Sequence, residues 1–255
     1  MRTVLCAMAF SLVTTTAFAA EKVALLIGSG AYSTAMPLPN PGNDVRALAR
    51  TLEDHGFEVD TRIDLTRLEM LRALRDFRLQ ADQSDVAMVF YAGHGVEMDG
   101  TNYLLPVDAS SEDERAILYE MITMDRILAH MAGAQRLRMF VLDACRDNPF
   151  STRPGRRDPA RSAKRGLAGV EAQTGDTLIA YAAGPGDCPL DGPPGGNSPY
   201  TRALIDALNG EALDVRLLFG VVHDNLRRAV LEAEPFMMTS LGGAAYVIQD
   251  EAASK

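Results

Sequence analysis

VAMVFYAGHG, residues 86–95, is an unbroken apolar run that ends in Gly93-His94-Gly95. A run of this kind with a glycine at its end describes a strand buried on both faces of a parallel sheet. The Gly-His-Gly triplet then forces a tight turn that leaves an imidazole at the strand's carboxyl edge. LRMFVLDAC, residues 137–145, repeats the arrangement and delivers Asp143 and Cys145 past a second strand. Parallel strands end at one edge of their sheet, where a thiol and an imidazole far apart in sequence form a nucleophile and base pair. The chain therefore reads first as a cysteine hydrolase.

The pattern around these two strands is regular. Val23–Ile27 is another short apolar run closed by Gly28, and residues 43–55 read as a helix in which Val45, Leu48, Ala49 and Leu52 share a face, with Asn43 or Asp44 as its cap. Residues 57–63 read as a strand and 66–81 as a helix with Leu68, Leu71, Leu74 and Phe77 at helical spacing. Asp99-Gly100 centres a hairpin over 96–105, and 121–131 reads as a helix. A strand over 177–182, helices over 198–208 and 215–231 and a last strand over 244–248 complete the series. Strands alternating with helices predict an α/β sandwich with a mostly parallel sheet, whose sites gather beyond the strands' carboxyl ends.

The first twenty residues read as a signal peptide. Arg2 precedes an apolar stretch from Thr3 to Val13, and Ala17-Phe18-Ala19 has the small-x-small pattern of a cleavage site. A periplasmic or secreted protein of one domain, residues 21–255, is expected, with no membrane contact after signal removal. The 47% hydrophobic content supports a substantial core, and the net charge of −9 argues against a nucleic-acid partner. Beyond the leader stand only Cys145 and Cys188, which make no disulfide framework, and no spacing suggests a metal site. One compositional break lies at about 150–175, where STRPGRRDPARSAKRG (151–166) holds Arg153, Arg156, Arg157, Arg161, Lys164 and Arg165 against Asp158 alone. It reads as a flexible basic loop.

ALLIGSGAY, LPNPGNDVRALARTLEDHGFEV, FYAGHG, NYLLPVDA, LDACRDNPF, LIAYAAGPGD and GGNSPYTRAL follow one another along the chain. With these segments it resembles a bacterial member of the caspase and metacaspase clan of cysteine peptidases. The resemblance implies a three-layer α/β/α sandwich around a mostly parallel six-stranded sheet. It also implies His94 as base, Cys145 as nucleophile, and the backbone amides of Gly95 and Cys145 as the oxyanion hole. In the metacaspase-like branch the aspartate at 143 lines the pocket for an Arg or Lys before the cleaved bond. Its bland alternative is a carboxylate satisfied by nearby backbone amides. Asp187 and Asp191 would add negative potential there, at a spacing that differs from the metacaspase pattern. Arg146-Asp147-Asn148 replaces the usual His-Ser-Gly after the nucleophile.

The expected partners are protein or peptide substrates with Arg or Lys before the cleaved bond, and the basic loop offers sites for self-cleavage within 151–166. The alternative is a catalytically silent caspase-like module that binds peptides or scaffolds partners. No organic cofactor is implied. Metacaspase calcium dependence rests on an acidic cluster, and the sequence leaves a calcium requirement open here; Glu112, Asp113 and Glu114 read as a solvated loop. Gly28-Ser29-Gly30 lacks the third glycine of a dinucleotide fingerprint, and Pro37, Pro39 and Pro41 interrupt the helix that should follow. His55 reads as a helix end, and His130 and His223 as surface residues of helices. Cys188 follows its strand as Cys145 does, so a reversible bond between the two thiols stands beside the plainer reading of a small pocket-lining residue.

Overall fold

The computed structural model describes residues 21–98, 101–110, 119–144, 176–184 and 189–250. The leader, Cys145, the basic stretch 151–166, Glu112 to Glu114, Asp187 and Cys188 lie outside the described residues.

The main sheet is built from β1 (Lys22–Gly28), β2 (Glu58–Ile63), β3 (Val86–Gly93), β7 (Leu137–Ala144), β8 (Thr177–Tyr181) and β9 (Phe236–Thr239), in the order β2-β1-β3-β7-β8-β9. All neighbours are parallel except β9, which runs antiparallel to β8. A small antiparallel sheet of β4 (Gly95–Met98), β5 (Thr101–Leu104) and β6 (Ile122–Thr123) grows directly from the end of β3. Among the described residues the helices are α1 (Pro41–Asp54), α2 (Arg67–Ala81), α3 (Met124–Met131), α4 (Pro199–Leu208) and α5 (Val215–Ala229).

Side chains alternate across a strand, so the central strands feed two cores. Leu26, Met88, Phe90, Met139 and Val141 pack with α1, α4 and α5 on one face. Leu25, Val89, Tyr91, Phe140 and Leu142 pack with α2 and α3 on the other. This is the three-layer α/β sandwich with a mostly parallel six-stranded sheet. The chain leaves β1 toward β2 on one side, while β3 lies on the other, so a crevice opens between the loops that follow β1 and β3. A third, smaller core of Tyr32, Ala35, Val96, Leu105, Ala109 and Met121 fastens the β1–α1 loop to the small sheet.

Several boundaries differ from the expectation. The last sheet strand is β9, Phe236–Thr239, and not 244–248, which makes only a bridge between Val247 and Asp214. Tyr246 and Ile248 alternate inward because they pack on the helical layer beside α1 and α5, so a strand-like pattern arises without sheet pairing. Residues 122–123 pair with β5 before α3 begins, and Thr123 caps that helix. Leu68 is exposed, because the buried face of α2 runs through Met70, Ala73, Leu74 and Phe77. The cap of α1 is Asn40, ahead of Pro41, and neither Asn43 nor Asp44.

The β1–α1 loop is held by Asp64, whose Oδ1 accepts from the backbone N–H of Gly30 (2.7 Å) and Ala31 (2.9 Å). Asp64 itself adopts φ 55°, a conformation that Asp tolerates better than most residues. Asp64→Ala should lower stability by about 1–3 kcal/mol, read by urea unfolding, because two backbone donors lose their acceptor and the backbone is strained. Asp64→Asn, which keeps both properties, should stay close to the parent.

Candidate active site

β3 and β7 pair in register through Ala92 with Asp143 and Gly93 with Ala144. His94 and Cys145 are the next residue of each chain. The imidazole is nearly buried, 5% exposed, and its ring lies against Tyr32 with centroids 4.6 Å apart. His94 Nε2 is 2.7 Å from the Met36 carbonyl oxygen. A carbonyl only accepts, so Nε2 carries the proton and the neutral ring presents its lone pair at Nδ1. Nδ1 is buried and has no hydrogen-bond partner among the described residues. Burial holds the His94 pKa below its ordinary value, against the Met36 carbonyl and the Asp191 carboxylate, which favour the charged form. A neutral imidazole with an unengaged lone pair is a base ready to take a thiol proton.

Gly95 opens β4. Leu105 N–H donates to the His94 carbonyl at 3.1 Å, which makes Gly95 and Leu104 a non-hydrogen-bonded pair of the antiparallel ladder. The Gly95 N–H is therefore directed away from β5, as an oxyanion-hole donor requires.

Asp143 ends the β7 row of Met139 and Val141, on the face that meets α1 and α4, and is 7% exposed. Its Oδ2 accepts from the hydroxyl of Ser198 and from that of Thr201 (3.2 Å), both at the start of α4. Hydroxyls, and not backbone amides, satisfy it. Burial pushes its pKa up to about 7, opposed by Ser198 and reinforced by the neighbouring Asp44. Asp44, one turn into α1, takes the backbone amide instead: its Oδ1 accepts from Ser198 N–H (2.9 Å) and from Asn197 Nδ2 (3.0 Å). Burial raises it to about 6.

Asp191 joins them from the loop before α4. Its Oδ2 is buried without a partner among the described residues, and burial raises its pKa. Asn40 holds that loop, donating from Nδ2 to the carbonyls of Asp191 (2.6 Å) and Pro193 (2.9 Å) and accepting at Oδ1 from Gly195 N–H (3.0 Å). Asp44, Asp143 and Asp191 line one pocket of about 310 Å³, partly open to solvent, with Leu38, Gly93 and Ala144.

A sequence model of the caspase domain (Peptidase_C14) matches residues 21–245. The chain belongs to the caspase-domain family. This is a family of cysteine-type peptidases, whose substrates are proteins. Over 129 residues the chain is 36% identical to Mucosa-associated lymphoid tissue lymphoma translocation protein 1 of Homo sapiens and to its homolog of Mus musculus. The matched stretch is 50% of this chain and 15% of each relative.

Of the predicted site residues in this caspase domain, His94, Gly95, Asp143 and Asp191 come to one edge of the sheet, while Cys145 and Asp187 lie outside the described residues. Sequence reasoning missed Asp44, which it took as a helix cap, and the hydroxyls of Ser198 and Thr201. The signal was present in GNDVRAL and GGNSPYTRAL, whose polar residues precede apolar helices yet become buried. The other histidines are structural: His55 Nε2 meets the Leu208 carbonyl at 3.0 Å, and His130 Nδ1 the Arg126 carbonyl at 2.7 Å. His223 pairs with Asp224 on the surface. Among the described residues no cluster of three His, Cys, Asp or Glu is placed to hold a metal ion, and no helix is long and apolar enough to cross a membrane.

An acid whose pKa is raised on folding costs stability as pH climbs from its unfolded to its folded value. For Asp143 that window runs from roughly 4, the ordinary carboxyl value, to about 7. Asp143→Asn keeps an acceptor for Ser198 and Thr201 and removes the charge. The variant should be more stable than the parent by roughly 2–4 kcal/mol at pH 8, a gap that closes toward pH 4, as measured by denaturant titration across pH.

Proposed function

We propose that this caspase domain is a cysteine endopeptidase that cleaves after Arg or Lys. One observation carries the specificity: three carboxylates line a single pocket beside Gly93 and Ala144, with no cationic side chain among its described lining residues. Such a pocket holds its charge poorly when empty, since burial raises all three acids. An entering guanidinium or ammonium supplies the missing counter-charge and hydrogen-bond donors.

The reaction follows from the base geometry. His94 Nδ1 accepts the Cys145 thiol proton, and the thiolate attacks the carbonyl of the residue whose side chain fills the acidic pocket. The N–H groups of Gly95 and Cys145 receive the developing oxyanion. Collapse expels the amine with the proton from Nδ1 and leaves a thioester, which a water activated by the same nitrogen hydrolyses. Met36 keeps Nε2 protonated throughout, so proton traffic is confined to Nδ1. The same specificity directs the enzyme at its own Arg/Lys-rich 151–166 stretch. The leader-like residues 1–20 support export, with a mature N-terminus at Ala20 or Glu21.

Cys145→Ala and His94→Ala should each abolish hydrolysis of Arg-containing peptides, with a double variant no worse than either single one. Parent activity in a clean Cys145→Ala preparation overturns the peptidase reading, and peptide binding without cleavage by the parent favours the silent module. Self-cleavage is read by terminal sequencing of the parent against Cys145→Ala. For Arg substrates, kcat/KM should rise as pH passes through about 6 to about 7, where Asp44 and Asp143 ionise. Burial holds the His94 pKa below its ordinary value. An uncharged substrate should lack this limb, and a shared profile for both substrates removes the pocket acids as its cause.

A further inference from the structure

We infer that Tyr32 and Tyr91 are positioning residues for the base, closing a ring of three hydrogen bonds around the His94 peptide. The inference rests on the peptidase reading above. The Tyr91 hydroxyl is 2.8 Å from the His94 carbonyl oxygen and 3.0 Å from that of Leu105. Carbonyls cannot donate, so Tyr91 spends its single proton on them and can only accept from Tyr32, whose hydroxyl is 3.2 Å away. Tyr32 in turn accepts the His94 backbone N–H at 2.7 Å. The donor directions follow: the His94 amide to Tyr32, Tyr32 to Tyr91, and Tyr91 to the carbonyls of His94 and Leu105, which share its one proton.

The ring clamps both polar groups that border His94's own backbone, while Tyr32's aromatic face packs on the imidazole and Met36 holds Nε2. Three constraints from three directions leave Nδ1 one place to point. Burial keeps both phenols protonated, Tyr91 being pushed up to about 12 and Tyr32 well above its ordinary value. The ring also explains the glycine before His94. A Cβ at Gly93 would lie 2.6 Å from the Tyr32 hydroxyl and 2.7 Å from that of Tyr91, and Gly93 has φ 155°. Only a residue without a side chain lets the two hydroxyls meet there.

A cyclic network acts as a unit, because each bond polarises the next and opening one releases the others. Tyr32→Phe and Tyr91→Phe, measured on an Arg-containing peptide, should each lower kcat about tenfold with KM within about twofold of the parent, since neither residue lines the acidic pocket. The double variant should lose no more than the poorer single one. Singles with parent kcat, losses that multiply in the double variant, or KM rising in step with a falling kcat would each overturn the assignment. Should Tyr91→Phe not fold, Tyr32→Phe carries the test alone. Amide hydrogen exchange at His94 separates this proposal from the peptidase reading, because it needs no turnover. Exchange at least tenfold faster in Tyr32→Phe supports the ring, and unchanged exchange overturns it. A parent without hydrolysis counts instead against the peptidase reading.

Discussion

The hydrogen bond from His94 Nε2 to the Met36 carbonyl links the fold to the proposed chemistry, because it sets which ring nitrogen carries the proton. Without a fixed acceptor at Nε2, a neutral imidazole divides its proton between two nitrogens, and only one tautomer offers Nδ1 as a lone pair. The acceptor here is a backbone atom, so its position is set by how the β1–α1 loop is held. That loop is tied at one end by Asp64 to Gly30 and Ala31, and at the other by Asn40, whose side chain reaches Asp191, Pro193 and Gly195. The small core of Tyr32, Ala35 and Val96 fixes its middle. The ties at the two ends are made by residues remote in sequence from His94, yet both bear on one proton.

The acidic pocket is built against the usual rule that buried charges come with partners. Asp143 Oδ2 is served by two hydroxyls and Asp44 Oδ1 by two amides at the start of α4, all of them neutral groups. Nothing among the described lining residues balances their charge. The fold therefore tolerates a local cost, relieved in part by protonation near neutral pH. It also keeps the cost discriminating: a cationic side chain removes it, an uncharged one leaves it, and an acidic one adds to it. The specificity proposed above is thus a property of the empty state as much as of the bound one.

The sheet and the placing of His94 at the carboxyl end of a strand were legible in the sequence because each rests on local patterns: continuous apolar runs, glycine ends, and helices with one apolar face. Asp143 stood out as a carboxylate ending such a run, and the role of Gly95 came from the family resemblance. Asp44 did not stand out, because an acid in the first turn of a helix has an ordinary explanation as a favourable partner of the helix dipole. Its burial depends on α4 crossing above it, a contact between segments about 150 residues apart that no window of sequence contains. Tyr91 was hidden for a related reason. In FYAGHG it reads as one more apolar strand residue, and its hydroxyl acquires meaning only when Tyr32 and the His94 carbonyl are brought to it. The last strand was misplaced because Tyr246 and Ile248 alternate as a strand does while packing on the helical layer, whereas the true edge strand is only half-buried.

Period-two alternation along β3 and β7 sorts the two tasks of the site onto opposite faces of one sheet. Tyr91 points toward α2 and α3, where it joins the device that orients the base. Ala92 and Asp143, the next register pair past Tyr91 and Leu142, belong to the face of α1 and α4, where the pocket is assembled. His94 and Gly95 begin where the parallel strand ends and the small antiparallel sheet starts, so they stand at the seam between the two. The pocket acids and Tyr91 therefore stand on opposite faces of the sheet: one strand pair carries both through adjacent residues, and the pleat keeps them physically separate.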